Sequence, residues 1–485
     1  MKSKTAFFVV YFFLSFFYNL YAKETVITGK IIGALPDAIR FSAPVNGNSG
    51  FDYYYTTKAD ANGSFTMTIN LEDMTIIDIF YDYKPACSVI ARPGEKYTLA
   101  ITQLDDKIEG IVAGRDTEGQ KLYNSISHNH RMSLIAQPAN DIATAESAED
   151  LEHVIRRHEA EDIEGFKNLQ TTGKISRDFL NTITIERNYL YAAMTAYQVL
   201  VRHAKSERGG EAANLSDFDR LWGSLYKKYP INNKSILKSP FAFYFLDSYC
   251  NFKLYEEVVF KPVKRSDKGL AFKPKKMAAW LQEPNLEYYT AAYLHSYLIE
   301  GVKDEILINV FDDFEKQYPK SGYLKYLKQE MAPLLQFHKI AIDKSLIVEG
   351  YQTINSLEEL ITKFPGQKIY LDIWATWCGP CREEFKYKNE LYKLLKAEGI
   401  TPVYISIDED RKDKAWKKMI NYYKLEGHHL RTNKQLDGYL RKLFDKNGTI
   451  SIPWYILISK DGKINNLHAH AMSDLEELKK EIRSL

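Results

Sequence analysis

The stretch Tyr370-Leu-Asp-Ile-Trp-Ala-Thr-Trp-Cys-Gly-Pro-Cys381 decides the fold of the C-terminal part of this 485-residue chain. An apolar, partly β-branched run ends in two cysteines, and Arg382-Glu-Glu-Phe385 follows with charged residues at helical spacing. The pattern predicts a buried strand that delivers a dithiol to the first turn of a helix. Unpaired backbone N–H groups at a helix N-terminus stabilise a thiolate, which is the reactive form of cysteine.

The two cysteines are expected to have different catalytic roles. Cys378 is the expected nucleophile, and this role requires its sulfur to be accessible to solvent. Cys381 stands one helical turn later and is the expected resolving thiol, which attacks the mixed disulfide at Cys378. A structural disulfide and half of a zinc site are the alternatives. So short a loop constrains the unfolded chain little, and no second C-x-x-C or suitably spaced Cys/His pair supplies further zinc ligands.

The segment Leu371–Cys381 resembles the active-site segment of the thioredoxin superfamily. The form Ala375-Thr-Trp-Cys-Gly-Pro-Cys-Arg382 is similar to exported thiol-disulfide oxidoreductases of the TlpA/ResA type. This resemblance covers about the last third of the chain. It implies a thioredoxin fold and disulfide exchange, and it implies no cofactor and names no substrate.

An acidic residue, Asp372, lies six positions before Cys378 on the strand that we expect to be buried. Burial raises the pKa of a carboxyl group toward the range in which it exchanges protons with a thiol. The resemblance implies a catalytic role in which Asp372 exchanges protons with the resolving thiol. An acid paired with a nearby lysine is the alternative.

The resemblance also implies a set of substrate-binding residues. Trp377 is expected to offer apolar contact around the target disulfide, next to Gly379 and Pro380 of the motif. Pro453 is expected to follow a cis peptide bond and to pack against the dithiol, while the backbone of Ile452 pairs with the bound substrate chain. Such strand-like pairing gives affinity without demanding a particular substrate sequence.

One position departs from the family pattern. Relatives usually carry a proline five residues after the second cysteine, and Lys386 occupies that place here. We therefore expect a straighter helix, or a more basic surface beside the site. Trp374 is predicted to lie in the core.

We predict a multidomain protein: an N-terminal antiparallel β domain, a central all-α domain and a C-terminal α/β thioredoxin-like domain. Residues 23–113 alternate in polarity with period two between turn dipeptides, which predicts a β-sandwich-like domain. They also resemble the β-rich domain that often precedes thioredoxin modules in exported Bacteroidota proteins. Residues 114–346 show helical spacing, and residues 347–485 have the element order of a thioredoxin-like domain.

The beginning of the sequence has the pattern of a secretory signal peptide. Met1-Lys-Ser-Lys-Thr precedes the short apolar run Ala6–Tyr18, and the small residue Ala22 precedes a lysine. An uncleaved membrane anchor is the alternative. We therefore expect export to the periplasm, with the protein soluble after removal of residues 1–22 or tethered by them.

The charge balance gives no reason to expect nucleic-acid binding. The formal net charge is +2, and removal of residues 1–22 takes away two lysines and no acid, which leaves zero. Cys87 and Cys250 are far apart in sequence, and we predict that both are buried free thiols. We predict no metal site, although the sequence contains the close histidine pairs His128/His130, His428/His429 and His468/His470.

Together these patterns favour an exported thiol-disulfide reductase. The Gly-Pro pair between the cysteines matches the reducing members of the superfamily. Expected substrates are disulfide-bearing exported proteins, such as apocytochrome c or mispaired proteins, and the resemblance implies electrons from a membrane thiol carrier of the CcdA or DsbD type. One alternative is a binding or scaffold protein with a redox-sensing dithiol. A thiol peroxidase is another, but Ala375 occupies the place of the peroxidase threonine.

Overall fold

The computed structural model describes residues 22–51, 53–104, 107–126, 131–207, 215–257, 270–445 and 448–485. The predicted signal peptide up to residue 21 and the pair His128/His130 lie outside these ranges. The described residues divide into two compact units. The first extends to Ala292, and the second consists of Tyr293–Leu485 together with a short segment at Leu270 and Ala271.

The first unit begins with a β region. Its strands within the described residues are β1 (Lys23–Ile32), β2 (Ile39–Ser42), β3 (Tyr54–Thr57), β4 (Ser64–Leu71), β5 (Thr75–Tyr81), β6 (Lys84–Ala91), β7 (Lys96–Leu104) and β8 (Lys107–Ala113). They form two sheets, with strand orders β4-β1-β7-β8 and β3-β2-β5-β6. Alternate residues of both sheets, such as Ile27, Met67 and Val89, share one buried core. A β-sandwich is the result.

One strand pair contradicts the prediction of an antiparallel domain. β1 pairs with β4 in antiparallel fashion but with β7 in parallel fashion, and Val26 lies opposite Lys96 in the second pair. Period-two alternation describes which face a side chain occupies, and it is the same for both strand directions. The sequence pattern therefore contained no information on this direction.

Helices follow, as the spacing predicts. They are α1 (Thr117–Ser125), α2 (Arg131–Ala136), α3 (Asn140–Ala143), α4 (Ala148–Thr171), α5 (Arg177–Glu207), α6 (Leu215–Lys228), α7 (Ala242–Glu257), α8 (Phe272–Met277), α9 (Asn285–Ile299), α10 (Ile306–Gln317) and α11 (Leu324–Lys339). None of the helices in the described part of the chain is both long and apolar enough to cross a membrane. α10 and α11 belong to the same compact unit as the sheet that follows them.

The remainder of the second unit is an α/β structure. Its elements are α12 (Leu357–Ile361), β9 (Lys368–Trp374), α13 (Gly379–Glu384), α14 (Lys388–Ala397), β10 (Ile400–Ser406), α15 (Asp413–Tyr422), β11 (His428–Arg431), α16 (Lys434–Phe444), β12 (Trp454–Ile458), β13 (Ile464–Asn466) and α17 (Leu475–Arg483). The strand order is β11-β10-β9-β12-β13. β9 is central, parallel to β10 and antiparallel to β12. The short edge strand β11 was not predicted, because only one of its four residues is aliphatic.

The central strand β9 is buried along nearly its whole length. Every residue from Ile369 to Trp374 is buried, which explains why the sequence reads as an almost continuous apolar run. Phe337 of α11 belongs to the same core, and its ring lies 5.6 Å from that of Tyr422 in α15. A helix from outside the sheet region thus packs on the α/β structure.

The helix after the dithiol is broken, so the prediction of a straighter helix is wrong. α13 ends at Glu384, a 3-10 turn covers Phe385–Tyr387, and α14 begins at Lys388. Phe385 is buried with its ring centroid 5.3 Å from that of Trp374, and Trp374 lies in the core as predicted. The break thus coincides with packing of Phe385 and needs no proline.

A buried carboxylate, Asp408, holds the loop between β9 and α13. The backbone N–H of Thr376 donates to Oδ2 of Asp408 (2.8 Å), and the Thr376 hydroxyl donates to Oδ1 (2.7 Å). The hydroxyl of Ser406 donates to Oδ2 over 2.7 Å. All three residues are buried, so each oxygen of the carboxylate depends on these donors.

We therefore expect Thr376→Val to lower the free energy of unfolding of the second unit by about 1–3 kcal/mol, because a charged acceptor loses a donor in a buried place. Urea titration with tryptophan fluorescence measures this, since four of the six tryptophans lie in this unit. Thr376→Ser is the control, because it keeps the hydroxyl and loses one methyl group, worth about 0.8 kcal/mol. Equal losses in the two variants would contradict the role of the Asp408 contact.

Candidate active site

The two cysteines of the motif lie at the beginning of α13, as predicted. Cys378 stands directly before the helix, and it forms a disulfide with Cys381. The backbone N–H of Cys381 donates to Sγ of Cys378 over 3.1 Å. A thiolate at Cys378 would keep this donor, so the geometry favours the charged form of this sulfur.

The sulfur of Cys378 is less accessible than its predicted role requires. Its exposed fraction is 3% and that of Cys381 is 1% in the disulfide-bonded state, so the expectation of an accessible Cys378 is wrong for this state. The reason is that both side chains belong to the core around β9. The preceding residue, Trp377, is 60% exposed.

The chain segment before β12 meets the dithiol from a distant part of the sequence. The Ile452–Pro453 peptide bond is cis, as the resemblance implies. Sγ of Cys378 lies 3.8 Å from the carbonyl oxygen of Ile452. The fold therefore brings together two predicted substrate-binding residues and the predicted nucleophile, which are 74 positions apart.

The remaining predicted substrate-binding residues frame the same surface. Gly379 and Pro380 are the first two residues of α13, and Pro380 is exposed, as is Trp377. All three residues lie within two positions of Cys378 in the chain. Their contact with a substrate stays a prediction.

Asp372 is buried in the middle of the sheet. Its exposed fraction is 1%, and neither carboxylate oxygen has a hydrogen-bond partner among the described residues. Burial, and after it the charge of Glu384, raises the pKa of Asp372 well above its ordinary range. The alternative of a lysine-paired acid is therefore wrong, and burial favours the neutral form of Asp372.

Tyrosines surround Asp372, which sequence analysis did not predict. In register, Asp372 lies between Tyr404 of β10 and Tyr455 of β12. The Tyr404 hydroxyl lies 2.9 Å from that of Tyr392, and the ring of Tyr455 stacks on Tyr370 at 5.7 Å. The high tyrosine content of the chain, 34 residues, was the only sign of such packing in the sequence.

Arg382 connects the dithiol loop to residues before the thioredoxin-like region, and sequence analysis missed it. Nη1 donates to the carbonyl oxygen of Thr376 over 2.8 Å, and Nη2 donates to the carbonyl oxygen of Glu300. Glu384 of the same helix accepts hydrogen bonds from the backbone N–H (2.9 Å) and hydroxyl (2.8 Å) of Ser473. Hydrogen bonds at Arg382 and at Glu384 therefore both hold α13 in place.

The remaining described histidines and cysteines considered in the sequence analysis lie outside the dithiol site. Burial lowers the pKa of His429 to about 3, and His470 lies 2.8 Å from Glu481. Within the described ranges, no three His, Cys, Asp or Glu side chains cluster in a way that could hold a metal ion. Cys87 and Cys250 are free and buried, as predicted, and burial raises the pKa of both thiols.

Comparison with known proteins covers the region that carries this site. Residues 355–482 match the family model described as Redoxin. The thiol-disulfide oxidoreductase ResA of Bacillus thuringiensis subsp. konkukian is 37% identical over 101 residues, which are 21% of this chain and 54% of the relative. ResA of Bacillus subtilis is 25% identical over 114 residues, covering 24% of this chain and 59% of the relative.

The chain spans about half the length of the first of these curated relatives. The solution structure of a thiol:disulfide interchange protein from Bacteroides sp. is also similar, with 24% identity, coverage of 25% of this chain and 78% of that chain, and a TM-score of 0.22. The central β9, the dithiol before α13 and the sequence match agree with one another. The C-terminal region, residues 355–482, is a Redoxin domain and belongs to the thioredoxin superfamily.

Proposed function

We propose that this protein is an exported thiol-disulfide oxidoreductase that reduces disulfides in exported proteins by exchange at Cys378 and Cys381. The observation that carries the proposal is the disulfide between these cysteines at the beginning of α13, with the Cys381 N–H donated to Sγ of Cys378. The names of the ResA relatives support the same chemistry. A dithiol that forms a disulfide in place gives up two electrons, and the disulfide takes up two electrons when it is reduced again.

The proposed reaction begins with the reduced dithiol. The thiolate of Cys378 attacks one sulfur of the substrate disulfide, a mixed disulfide forms, and the first substrate sulfur leaves as a thiolate that takes up a proton. Cys381 then loses its proton and attacks Sγ of Cys378, which releases the second substrate thiolate. The substrate gains two electrons, and the protein is left with the Cys378–Cys381 disulfide.

Asp372 is proposed as the group that takes the proton from Cys381. Burial favours the neutral form of this carboxyl group, which has no hydrogen-bond partner among the described residues. The carboxyl group of Asp372 therefore has to lose its own proton before it accepts the proton of Cys381. Its raised pKa brings this exchange closer to the pH at which thiols ionise. In its charged form Asp372 therefore lowers the stability of the folded protein, and in the proposed reaction the same residue supports proton transfer.

Other parts of the proposal rest on the sequence. Residues 1–22 are proposed as a signal peptide or anchor, and the periplasm as the compartment. A disulfide left after each cycle needs a reductant, for which we propose a membrane thiol carrier. Trp377, Gly379, Pro380, Ile452 and Pro453 are proposed to contact the substrate chain. The three-domain division at residues 113/114 and 346/347 likewise stays a prediction.

One observation favours a second candidate function. In the disulfide-bonded state the 3% exposure of Cys378 limits contact between this sulfur and a large substrate, which suits a binding or scaffold protein whose dithiol responds to redox state. Reduction of the disulfide distinguishes the two candidates, because an exchange enzyme must then present Cys378 to a target.

In the reduced protein we expect iodoacetamide to alkylate Cys378 at least about tenfold faster than Cys87 or Cys250, because only Cys378 is expected to be a stabilised thiolate. Mass spectrometry of the peptides measures the three rates. Cys381→Ser is expected to accumulate a mixed disulfide with oxidised insulin chains, since the resolving thiol is missing. Cys378→Ser is the matched control and should trap nothing. A Cys378 as unreactive as Cys250, with no trapped adduct, would support the scaffold instead.

Asp372 provides a pH-dependent prediction. In the unfolded chain it ionises near its ordinary pKa of 3.8, whereas its pKa in the folded protein is raised well above this value. The folded state binds the proton of Asp372 more tightly than the unfolded chain does. The contribution of Asp372 to the free energy of unfolding is therefore greatest below about pH 4, and it falls by about 1.4 kcal/mol per pH unit up to the folded pKa. Asp372→Asn should thus unfold at a higher temperature than wild type at pH 8, and the difference should shrink toward pH 4.

Thermal unfolding between pH 4 and pH 8 checks this prediction, and Asp312→Asn on an exposed position of α10 is the control. If the pH dependence of Asp372→Asn matches wild type, the carboxyl is not held neutral. The variant should also slow the resolving step about tenfold or more, because its amide cannot accept the proton. Stopped-flow exchange with a small disulfide measures that rate.

A further inference from the structure

An open cleft lies beside the dithiol within the second unit. Its volume is about 650 Å³. One part of its lining comes from the Redoxin domain and includes Trp377, Arg382 and Met419. The other part comes from residues 299–305 and from Phe337 and His338, which precede the Redoxin match. The catalytic motif therefore borders a cavity that the Redoxin domain alone does not complete.

The cleft presents apolar surface from both contributing segments. Trp377 of the dithiol loop is 60% exposed, and so is Ile299 at the end of α9. Exposed side chains of this size on the rim of a cavity next to a reactive group indicate a contact surface for another molecule. Arg382 keeps the two segments together through the carbonyl oxygens of Thr376 and Glu300.

Within the part of the chain that the structure describes, the lining cations Lys303, Arg382 and Lys418 form no ion pair with a carboxylate. Arg382 donates to carbonyl oxygens, Lys418 donates to the carbonyl oxygen of His338 over 2.9 Å, and Nζ of Lys303 lies 5.2 Å from the ring centroid of Tyr422. Burial and the charge of Arg382 lower the pKa of Lys303, so an anion beside it would be favourable.

The carboxylates of the lining either have cationic partners or are exposed. Asp304 lies 3.7 Å from Lys412, and Glu383 forms an ion pair with Lys386. Glu300 and Glu305 are exposed to solvent. Lys303, Arg382 and Lys418 are less exposed than Glu300 and Glu305, so the more buried charges of the lining are positive, whereas its exposed charges have both signs and include Arg411 and Lys414.

We propose that the cleft binds the stretch of substrate polypeptide that flanks the target cysteine, and that it selects segments with an apolar side chain and a carboxylate. This inference rests on the proposed function and specifies its substrate class. The apolar side chain would lie between Trp377 and Ile299, and the carboxylate would approach Lys303 and Arg382. Such charge matching mainly discriminates between partners and adds modestly to affinity.

Two synthetic peptides with one internal disulfide test the proposal, with Leu-Glu after the cysteine in one and Leu-Lys in the other. The reduced full chain should reduce the Leu-Glu peptide about fivefold faster, as expected for one favourable, partly exposed charge contact. In 1 M KCl the preference should largely disappear, because the Debye length falls to about 3 Å. Chromatography of the peptide thiols gives the rates.

Variants locate the preference. Lys303→Met removes the charge, keeps an unbranched stem of similar length and should reduce the preference to about twofold or less. Lys460→Met, an exposed change outside the cleft, should leave it at the wild-type value. Ile299→Ser should slow reduction of both peptides about threefold. Ile111→Ser on β8 is its control, because Ile111 is 63% exposed.

Each outcome has a distinct meaning. Equal wild-type rates for the two peptides, or a preference that Lys303→Met leaves intact, would overturn the proposed cleft. If the wild type reduces neither peptide while a small disulfide is reduced, polypeptide binding at the cleft is contradicted. Failure with the small disulfide as well would contradict the proposed oxidoreductase function itself.

Discussion

Burial of β9 on both faces is the constraint on which the second unit depends. The strand lies between β10 and β12, and its residues from Ile369 to Trp374 are all shielded from water. Full burial of each large apolar side chain contributes about 1.5–3 kcal/mol, so this strand anchors the sheet. The dithiol follows a few residues later, so its position is set by this buried strand. The loop between them is then held by buried hydrogen bonds from Thr376 to Asp408.

The same burial disfavours the charged form of Asp372 and shields the reactive sulfurs from solvent. Asp372 lies in the buried strand without a hydrogen-bond partner among the described residues, which keeps its carboxyl neutral. The sulfurs of Cys378 and Cys381 belong to the same core and are almost fully covered. Burial of the dithiol in the core and access of a substrate to its sulfur are therefore opposing requirements. In the disulfide-bonded state both sulfurs are buried, and Trp377 and Pro380 are the exposed residues of the motif.

The surroundings of the dithiol extend beyond the Redoxin match. Arg382 bonds to a carbonyl oxygen at Glu300, and Phe337 joins the core of the sheet. These contacts make the end of the helical region part of the site's wall. In the proposed reductase, they supply a surface that a Redoxin domain alone lacks, so the helical region would take part in substrate choice.

The sequence by itself determined the position of β9, the dithiol before a helix, the core position of Trp374 and the helical character of the middle region. These features depend on local periodicity and on a short motif, both of which can be read along the chain. The sequence did not determine the parallel pairing of β1 with β7, the helix break at Phe385 or the hydrogen bonds from Thr376 to Asp408. Each of these features depends on packing or on contact between residues that are far apart in the chain. The exposure of Cys378 and the cleft beside Arg382 were likewise decided by tertiary structure, because solvent access depends on which distant segments pack over a side chain.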